Sequence, residues 1–301
     1  MISRRVVVAG LLSLGPAGIS LGALARDSDG AQTGAPADSL VDSLVDSLAD
    51  LERRYGGRLG VAVFDTGSGH IATHRGDERF ALCSTFKVLA AGYVLARVDR
   101  GEERLDRRIA YDQDDLVDYS PATGKHVGDG MRLRDICEAA VTLSDNTAAN
   151  LMLASLGGPA GLTAYLRSLG DDVTRLDRRE PQLNYVEPGD PRDTTTPVAM
   201  LHTLRRLVLG RALSVASRDQ LQTWLRANQT GDKRLRAGLP AQWRVGDKTG
   251  TGPNHEANDI AVVWPPERAP LVITAYYVGR DASDGDRDTV LAEVGRLAAT
   301  L

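Results

Sequence analysis

The chain has few of the residues that mark several protein classes. It contains 2 cysteines, 5 histidines and 3 phenylalanines among 301 residues. Two cysteines cannot build a disulfide-dense scaffold, and the histidines show none of the spacings of a metal centre, so we expect no metal and no cofactor. The net charge of −4 provides no basic field, which argues against a nucleic-acid partner. The hydrophobic fraction of 42% is typical of a globular protein.

The first 37 residues differ in character from the rest. The pair Arg4-Arg5 precedes an apolar run over 6–24, and Ala23-Leu24-Ala25 offers a small-x-small cleavage pattern. An arginine pair before such a run is typical of twin-arginine export. We therefore predict a signal peptide over 1–25 and a disordered linker over 26–37. The mature protein would be secreted or periplasmic, monomeric and free of the membrane; a retained anchor is the alternative.

Hydrophobic periodicity predicts a two-lobe fold over 38–301. Leucines at four-residue spacing in 38–50 predict a helix, the insert over 81–229 is mainly helical, and a capping box is predicted at Ser217 and Gln220. Alternating or apolar runs predict strands at 59–65, 71–75, 243–251, 260–264 and 271–278, before a last helix at 289–301. Strands from both chain ends predict one antiparallel sheet with flanking helices, an α/β lobe over about 38–80 and 230–301 beside an all-α lobe over about 81–229.

Ser84-Thr85-Phe86-Lys87 places a hydroxyl and an amine at the start of an apolar helix. Residues three apart share a helix face, so we expect the Ser84 hydroxyl and the Lys87 amine to meet. The positive end of the helix would favour a developing anion there. Such an arrangement suits an activated serine nucleophile, although an isolated Ser-x-x-Lys is usually a surface feature.

Two further motifs lie downstream. Ser144-Asp145-Asn146 separates two helical stretches, and Lys248-Thr249-Gly250 closes a strand-like run. Ser144 follows Ser84 by 60 residues, and Lys248 follows Ser144 by 104. With Ser-x-x-Lys they form the signature set of class A β-lactamases and penicillin-binding proteins.

The segment Glu180-Pro181-Gln182-Leu183-Asn184 narrows the resemblance. It is similar to the Glu-x-x-Leu-Asn segment of class A serine β-lactamases, and it lies in a stretch over 175–197 that predicts a long functional loop. Arg178 and Asp193 stand where that family closes the neck of the loop with an ion pair. The chain therefore resembles a class A β-lactamase from about residue 38 to its end.

The resemblance implies a β-lactam substrate and a serine acyl-enzyme. It implies Ser84 as nucleophile, Ser144 as relay of a proton to the leaving nitrogen, and Glu180 with Asn184 as holders of the water that deacylates the enzyme. Either Lys87 or Glu180 acting through a water would take the proton of Ser84, and the sequence leaves this choice open.

A set of substrate-binding residues is also implied. Backbone N–H groups of Ser84 and Thr251 would bind the oxyanion. Many family members carry an arginine on the strand after Lys-Thr-Gly; this chain has none there, and Arg234, 14 residues before Lys248, matches an alternative position. Tyr119 would stand at the pocket mouth, and Asn146 would bond the acylamino side chain of the substrate. The whole set is Asn146, Asn184, Lys248, Thr249, Gly250, Thr251, Arg234 and Tyr119.

Two other functions stay open at this point. A D-Ala-D-Ala peptidase shares three of the motifs but lacks a glutamate in this loop, and a non-hydrolysing β-lactam sensor would acylate without turnover. Glu180 favours a hydrolase that confers β-lactam resistance.

The two cysteines are expected to stay unpaired. Some members of the family bridge the position before the nucleophile, here Cys83, to a position just after Lys-Thr-Gly. The second region here reads Thr251-Gly252-Pro253 and holds no cysteine. We therefore predict that Cys83 and Cys137 are free, buried thiols.

Overall fold

The computed structural model of the chain describes residues 36–301. The predicted signal peptide over 1–25 lies outside the described residues, as does the predicted linker up to residue 35. Residues 36 and 37, the end of that predicted linker, are the first two residues of a helix. None of the helices in the described range has the length and apolar character needed to cross a bilayer.

The described residues contain nine strands and nine α-helices. In chain order the strands are β1 (Arg58–Asp65), β2 (Ile71–His74), β3 (Phe80–Ala81), β4 (Arg108–Ile109), β5 (Met131–Arg132), β6 (Thr194–Thr195), β7 (Arg244–Thr251), β8 (Glu256–Trp264) and β9 (Leu271–Val278). The helices are α1 (Pro36–Tyr55), α2 (Phe86–Asp99), α3 (Leu133–Thr142), α4 (Asn146–Ser155), α5 (Gly158–Ser168), α6 (Pro197–Val208), α7 (Val215–Arg226), α8 (Leu235–Gly238) and α9 (Asp284–Ala298). Short 3-10 turns add Cys83–Thr85, Gln113–Asp115, Thr123–Lys125 and Gln182–Asn184.

Five strands form one antiparallel sheet in the order β2-β1-β9-β8-β7. Strand β1 from the start of the chain pairs along its full length with β9 from the end. The predicted two-lobe fold, with a sheet assembled from both chain ends and a helical insert, is thereby confirmed. Two short antiparallel pairs, β3 with β6 and β4 with β5, lie within the insert or at its edge.

Both faces of the sheet are buried, which explains the near-continuous apolar character of its strands. Side chains alternate along each strand, so Val61 and Val63 join one core with α1, α8 and α9, whereas Ala62 joins the other with the helices of the insert. Burying a Val, Leu or Ile side chain contributes about 1.5–3 kcal/mol. The sheet is therefore the wall between two cores, and the helical insert is held to it by α6, whose Pro197 carbonyl accepts a hydrogen bond from Thr274 Oγ1 at 2.8 Å.

Three local predictions were wrong, the first being the last helix, α9, which begins at Asp284 rather than at residue 289. Helix α7 begins at Val215, earlier than the predicted capping box, and its N-cap is Ser214, whose hydroxyl accepts from Ser217 N. Ser217 Oγ instead donates to Asp99 Oδ1 at 2.6 Å, which explains why it is buried. Strand β8 begins at Glu256, four residues before the predicted start at Ile260. The prediction relied on apolar residues and missed the first half of the strand, which is mostly polar but as buried as the second half. Cys83 and Cys137 are free and buried, as predicted.

Candidate active site

The Ser84 segment is a 3-10 turn that leads directly into α2. Cys83, the first residue of this turn, has a φ of 43°. This left-handed conformation turns the chain sharply ahead of the helix. Ser84 is partly buried, and its hydroxyl takes part in no hydrogen bond within residues 36–301. The expected meeting of Ser84 Oγ and the Lys87 amine is thus not made as a hydrogen bond in the described residues. Catalytic hydrogen bonds are often long without substrate and tighten when it binds.

Lys87 lies in the first turn of α2 and is completely buried. Its Nζ donates to Ser144 O at 2.8 Å and to Asn146 Oδ1 at 2.6 Å, and it lies 3.1 Å from Glu180 Oε1. Burial lowers the pKa of Lys87, while the Glu180 carboxylate opposes that shift. The side chain therefore joins two remote segments of the site, the Ser144–Asn146 turn and the loop that carries Glu180.

Ser144 connects α3 to α4 with a φ of 60°, a conformation rare for residues other than glycine. Its Oγ lies 3.1 Å from Lys248 Nζ and 3.4 Å from Lys87 Nζ, so both amines donate toward one hydroxyl. The next residue, Asp145, is the N-cap of α4 and accepts from Ala148 N at 2.8 Å. This cap fixes the turn that aims Ser144 between the two lysines.

The loop between α5 and β6 buries Glu180 almost completely. Asn184 Nδ2 donates to Glu180 Oε2 at 2.6 Å, and a cis peptide bond precedes Pro181. Asn150 on α4 clamps the backbone of Glu180: its Oδ1 accepts from Glu180 N at 3.0 Å, and its Nδ2 donates to Glu180 O at 2.9 Å. The carboxylate is thus fixed by a side chain on one side and a backbone clamp on the other.

Arg178 and Asp193 form an ion pair at the neck of this loop. Arg178 Nε donates to Asp193 Oδ2 at 2.5 Å, and Asp193, which is fully buried, also accepts from the N–H groups of Asp177 and Arg178. Three donors on one carboxylate join the two ends of the loop.

The end of β7 presents Lys248, Thr249, Gly250 and Thr251 to the site. Burial, with the nearby charge of Lys87, lowers the pKa of Lys248 to about 7. Thr249 Oγ1 lies 2.5 Å from the hydroxyl of Thr230, which in turn donates to Asn228 Oδ1 at 2.8 Å.

Arg234 lies against the same strand end. Its guanidinium donates to Gly250 O at 2.7 Å and to Thr251 Oγ1 at 2.8 Å, and it pairs with Asp288 on α9 at 2.8 Å. The structure therefore places this cation beside the strand on which a substrate carboxylate is expected.

Tyr119 lies apart from these buried groups. Its side chain is 61% exposed, its φ is 64°, and its carbonyl accepts from Asn146 N at 3.0 Å. Asn146 Nδ2 donates to Asp118 O at 2.9 Å, so this loop and the start of α4 are joined twice. The aromatic ring is available at the rim of the site.

Sequence reasoning missed two residues of this arrangement. Asn150 follows Asn146 by one helical turn, and that i, i+4 spacing on α4 was a usable signal. Thr230 lies outside any motif, and only its contact with Thr249 identifies it. Within 36–301 no group of three His, Cys, Asp or Glu residues is arranged to hold a metal ion.

Fold and site together define a serine acyl-transfer enzyme of two lobes, with one serine at the start of a buried helix and two buried lysines around a second serine. The comparisons with known proteins narrow this class. The sequence model of the family described as "Beta-lactamase enzyme family" matches residues 43–300. The chain is 48% identical over 284 residues to β-lactamase L2 of Stenotrophomonas maltophilia, covering 94% of this chain and 93% of that protein.

Further relatives agree. β-Lactamase OXY-1 of Klebsiella oxytoca is 50% identical over 248 residues, covering 82% of this chain and 85% of OXY-1. Among solved structures, an ancestral class A β-lactamase of Gram-negative bacteria shares 68% identity with a TM-score of 0.83, covering 84% of this chain and 98% of that one. The PenP protein of Rhodopseudomonas palustris shares 62% identity with a TM-score of 0.85, covering 86% and 99%. The chain belongs to the class A serine β-lactamases, enzymes whose hydrolysis of β-lactams confers resistance to these antibiotics.

Proposed function

We propose that this chain opens the β-lactam amide bond through an acyl-enzyme on Ser84, with Glu180 as the base that makes turnover possible. The observation that carries the proposal is the buried Glu180 carboxylate, 3.1 Å from Lys87 Nζ and fixed by Asn184 and Asn150. A carboxylate held in this way beside a serine nucleophile provides a base in a water-poor site.

The protonation of Lys87 favours Glu180 as the base for acylation. Lys87 Nζ has three hydrogen-bond acceptors, Asn146 Oδ1 at 2.6 Å, Ser144 O at 2.8 Å and Ser144 Oγ at 3.4 Å, and Glu180 Oε1 lies 3.1 Å away as its ion-pair partner. An ammonium has three donors to satisfy them, whereas a neutral amine has two. Burial lowers the pKa of Lys87, and the Glu180 carboxylate, which favours the charged ammonium, opposes that shift. Glu180 acting through a water then takes the proton of Ser84, whose Oγ bonds to the carbonyl carbon.

Deacylation uses the same carboxylate. Asn184 Oδ1 is a buried acceptor with no hydrogen bond from the described residues, while its Nδ2 is committed to Glu180 Oε2. A water molecule that donates to Asn184 Oδ1 and to Glu180 would be held beside the ester and deprotonated there. The water oxygen bonds to the ester carbonyl carbon while its proton goes to Glu180. The bond to Ser84 Oγ then breaks, Oγ takes that proton back, and the opened β-amino acid is released.

The leaving nitrogen would receive its proton from Ser144, and the proton that Glu180 took would pass through Lys87 to Ser144, which leaves Glu180 a carboxylate again. Both lysines donate toward Ser144 Oγ, so the hydroxyl hydrogen is free to point at the substrate. Backbone N–H groups of Ser84 and Thr251 would bind the oxyanion. One such donor lowers the activation barrier by about 3–4 kcal/mol.

The substrate carboxylate would bind at the end of β7. Lys248, Thr249 and Thr251 supply donors there, and Arg234 adds a guanidinium that already contacts Thr251 Oγ1. Gly250 lets the chain before Ser84 pack close to this strand end, since a Cβ on it would lie 3.1 Å from Leu82 O. Asn146 and Tyr119 would contact the acylamino side of the substrate. Arg178 and Asp193 would keep the loop that carries Glu180 closed.

Export and oligomeric state belong to the proposal as well. We propose that residues 1–25 direct twin-arginine export to the periplasm or cell exterior and that the mature enzyme is a monomer. Replacing Arg4 and Arg5 by lysine should abolish the appearance of processed enzyme outside the cytoplasm. Unchanged export of that variant would contradict the route.

Turnover of a chromogenic cephalosporin by the purified chain lacking residues 1–25 tests the proposed function. Many rings opened per enzyme are expected. A burst of about one ring per enzyme followed by silence, the behaviour of an enzyme that acylates without deacylating, would reject hydrolysis and favour a peptidase or sensor.

A further inference from the structure

Glu256 is a buried carboxyl directly behind the end of β7, and none of the roles above uses it. It is the first residue of β8 and is only 4% exposed. Within residues 36–301 it forms no ion pair with any lysine, arginine or histidine. Burial raises its pKa. A carboxyl buried without a cation is costly, so its place in the turn calls for an explanation.

Its hydrogen bonds close the turn that follows Thr251. Glu256 Oε2 accepts from Asn254 N at 2.8 Å, and Glu256 O accepts from Gly252 N at 3.2 Å. Side chain and backbone of one residue therefore hold both ends of the 252–254 segment.

Gly252 also packs against Cys83, the residue that precedes Ser84. A Cβ placed on Gly252 would lie 2.5 Å from Glu256 Oε2 and 2.9 Å from Cys83 Sγ, so Gly252 is wedged between this carboxyl and this thiol. Asn258 lies two residues after Glu256 on β8, and its Nδ2 donates to Ala81 O at 2.9 Å. The start of β8 thus holds the end of β7 on one side and the 81–83 segment on the other.

These contacts meet at the two backbone groups that the proposed function assigns to the oxyanion. Thr251 directly precedes Gly252, and Ser84 directly follows Cys83. We propose that Glu256 is a positioning residue for the oxyanion hole: its carboxyl holds the turn after Thr251 so that the N–H of Thr251 stays opposed to the N–H of Ser84. The inference rests on the proposed function, because it needs an oxyanion to form at Ser84.

The role requires an acceptor oxygen at the end of a side chain of this length, and it does not require a charge. Glutamine keeps that oxygen and nearly the same volume, whereas alanine leaves Asn254 N–H without its partner and aspartate withdraws the oxygen by one methylene. An oxyanion donor contributes to the transition state rather than to substrate binding. Loss of Glu256 should therefore lower kcat and leave KM nearly unchanged.

The test compares full-length enzyme and the Glu256→Ala, Glu256→Asp and Glu256→Gln variants on a chromogenic cephalosporin. A displaced donor should lower kcat about 10- to 100-fold in the alanine variant, and the aspartate variant should show a smaller loss that still exceeds about threefold. Glu256→Gln should retain at least about a third of the original kcat, since it keeps the acceptor. Glu187→Ala, an exposed glutamate that lines the same 670 Å³ cavity beside Glu256, is the matched control and should not change kcat.

Thermal unfolding of each variant shows whether it is folded; if the alanine variant does not fold, the aspartate and glutamine variants decide. A kcat within about threefold of the original in a folded alanine or aspartate variant would overturn the proposal, as would a glutamine variant as slow as alanine. Absence of turnover by the unchanged chain would instead reject the proposed function itself. The two failures are therefore distinguishable.

Discussion

The clamp of Asn150 on Glu180 gives a sharp prediction, because one side chain satisfies both backbone groups of the proposed base. Asn150→Ala removes the acceptor for Glu180 N and the donor for Glu180 O. Each buried backbone group left without a partner costs about 1–3 kcal/mol. The segment should shift to recover these bonds, and the carboxylate shifts with it.

A displacement of about 1 Å of a catalytic group can lower the rate about 100-fold. We therefore expect Asn150→Ala to lower kcat for a penicillin by about 10- to 100-fold. Rapid-quench kinetics on the purified variant would separate acylation from deacylation, and urea unfolding would give the loss of stability.

The chain offers a matched control on the same loop. Thr163 clamps Leu176 in the same way: its Oγ1 accepts from Leu176 N and donates to Leu176 O, both at 3.0 Å. Thr163→Ala should lose comparable stability without an equal loss of kcat, because Leu176 carries no catalytic group. Equal losses of kcat in both variants, or a folded Asn150→Ala with unchanged kcat, would refute the reasoning.

Three further predictions concern charges. Arg234→Ala should raise KM for a β-lactam carboxylate about tenfold or more with little change in kcat. For the corresponding β-lactam ester, the variant and the unchanged enzyme should have the same KM. An unchanged KM for the carboxylate would remove Arg234 from the site. Lys248 has a pKa of about 7, so its ammonium is lost as pH rises through 7, and kcat/KM for an anionic substrate should fall above that pH. Lys248→Arg should remove this fall, and a fall that persists in it would assign the titration elsewhere. Asp193→Ala leaves the Arg178 guanidinium without its buried partner and should destabilise the fold by about 3 kcal/mol in urea unfolding; a loss within experimental error would contradict the role of the ion pair at the loop neck.

Much of the fold could be predicted because apolar periodicity follows burial. The apolar run over 271–278 coincides with β9. Successive side chains of this strand enter the two cores in turn, so residues on both faces are apolar. The same rule failed at the start of β8, where Glu256, Asn258 and Asp259 are buried despite being polar. The partners of Asn258 and Asp259 lie far away in sequence, as with Asn258 and Ala81, and no local pattern reveals them.

The motifs located the site, but its internal contacts depend on the tertiary structure. The Ser84 motif predicted a helix start correctly, whereas the partners of Lys87 come from residues about 60 and 90 positions away in the sequence. Asn150 and Thr230 act on their neighbours through hydrogen bonds that only the folded chain creates. Spacing within one element can be read from sequence, but a contact between elements requires the packing.

Mass spectrometry of Glu180→Ala mixed with a penicillin is the most direct test of the proposal that Glu180 activates the water for deacylation. Without the carboxylate, the Lys87 pKa loses the interaction that opposes its lowering by burial, so a neutral amine can still take the Ser84 proton and acylation proceeds slowly. No group remains to activate the water, so we expect a stable adduct on Ser84 of one penicillin mass. A variant that forms no adduct, or that turns over as fast as the unchanged enzyme, would contradict it.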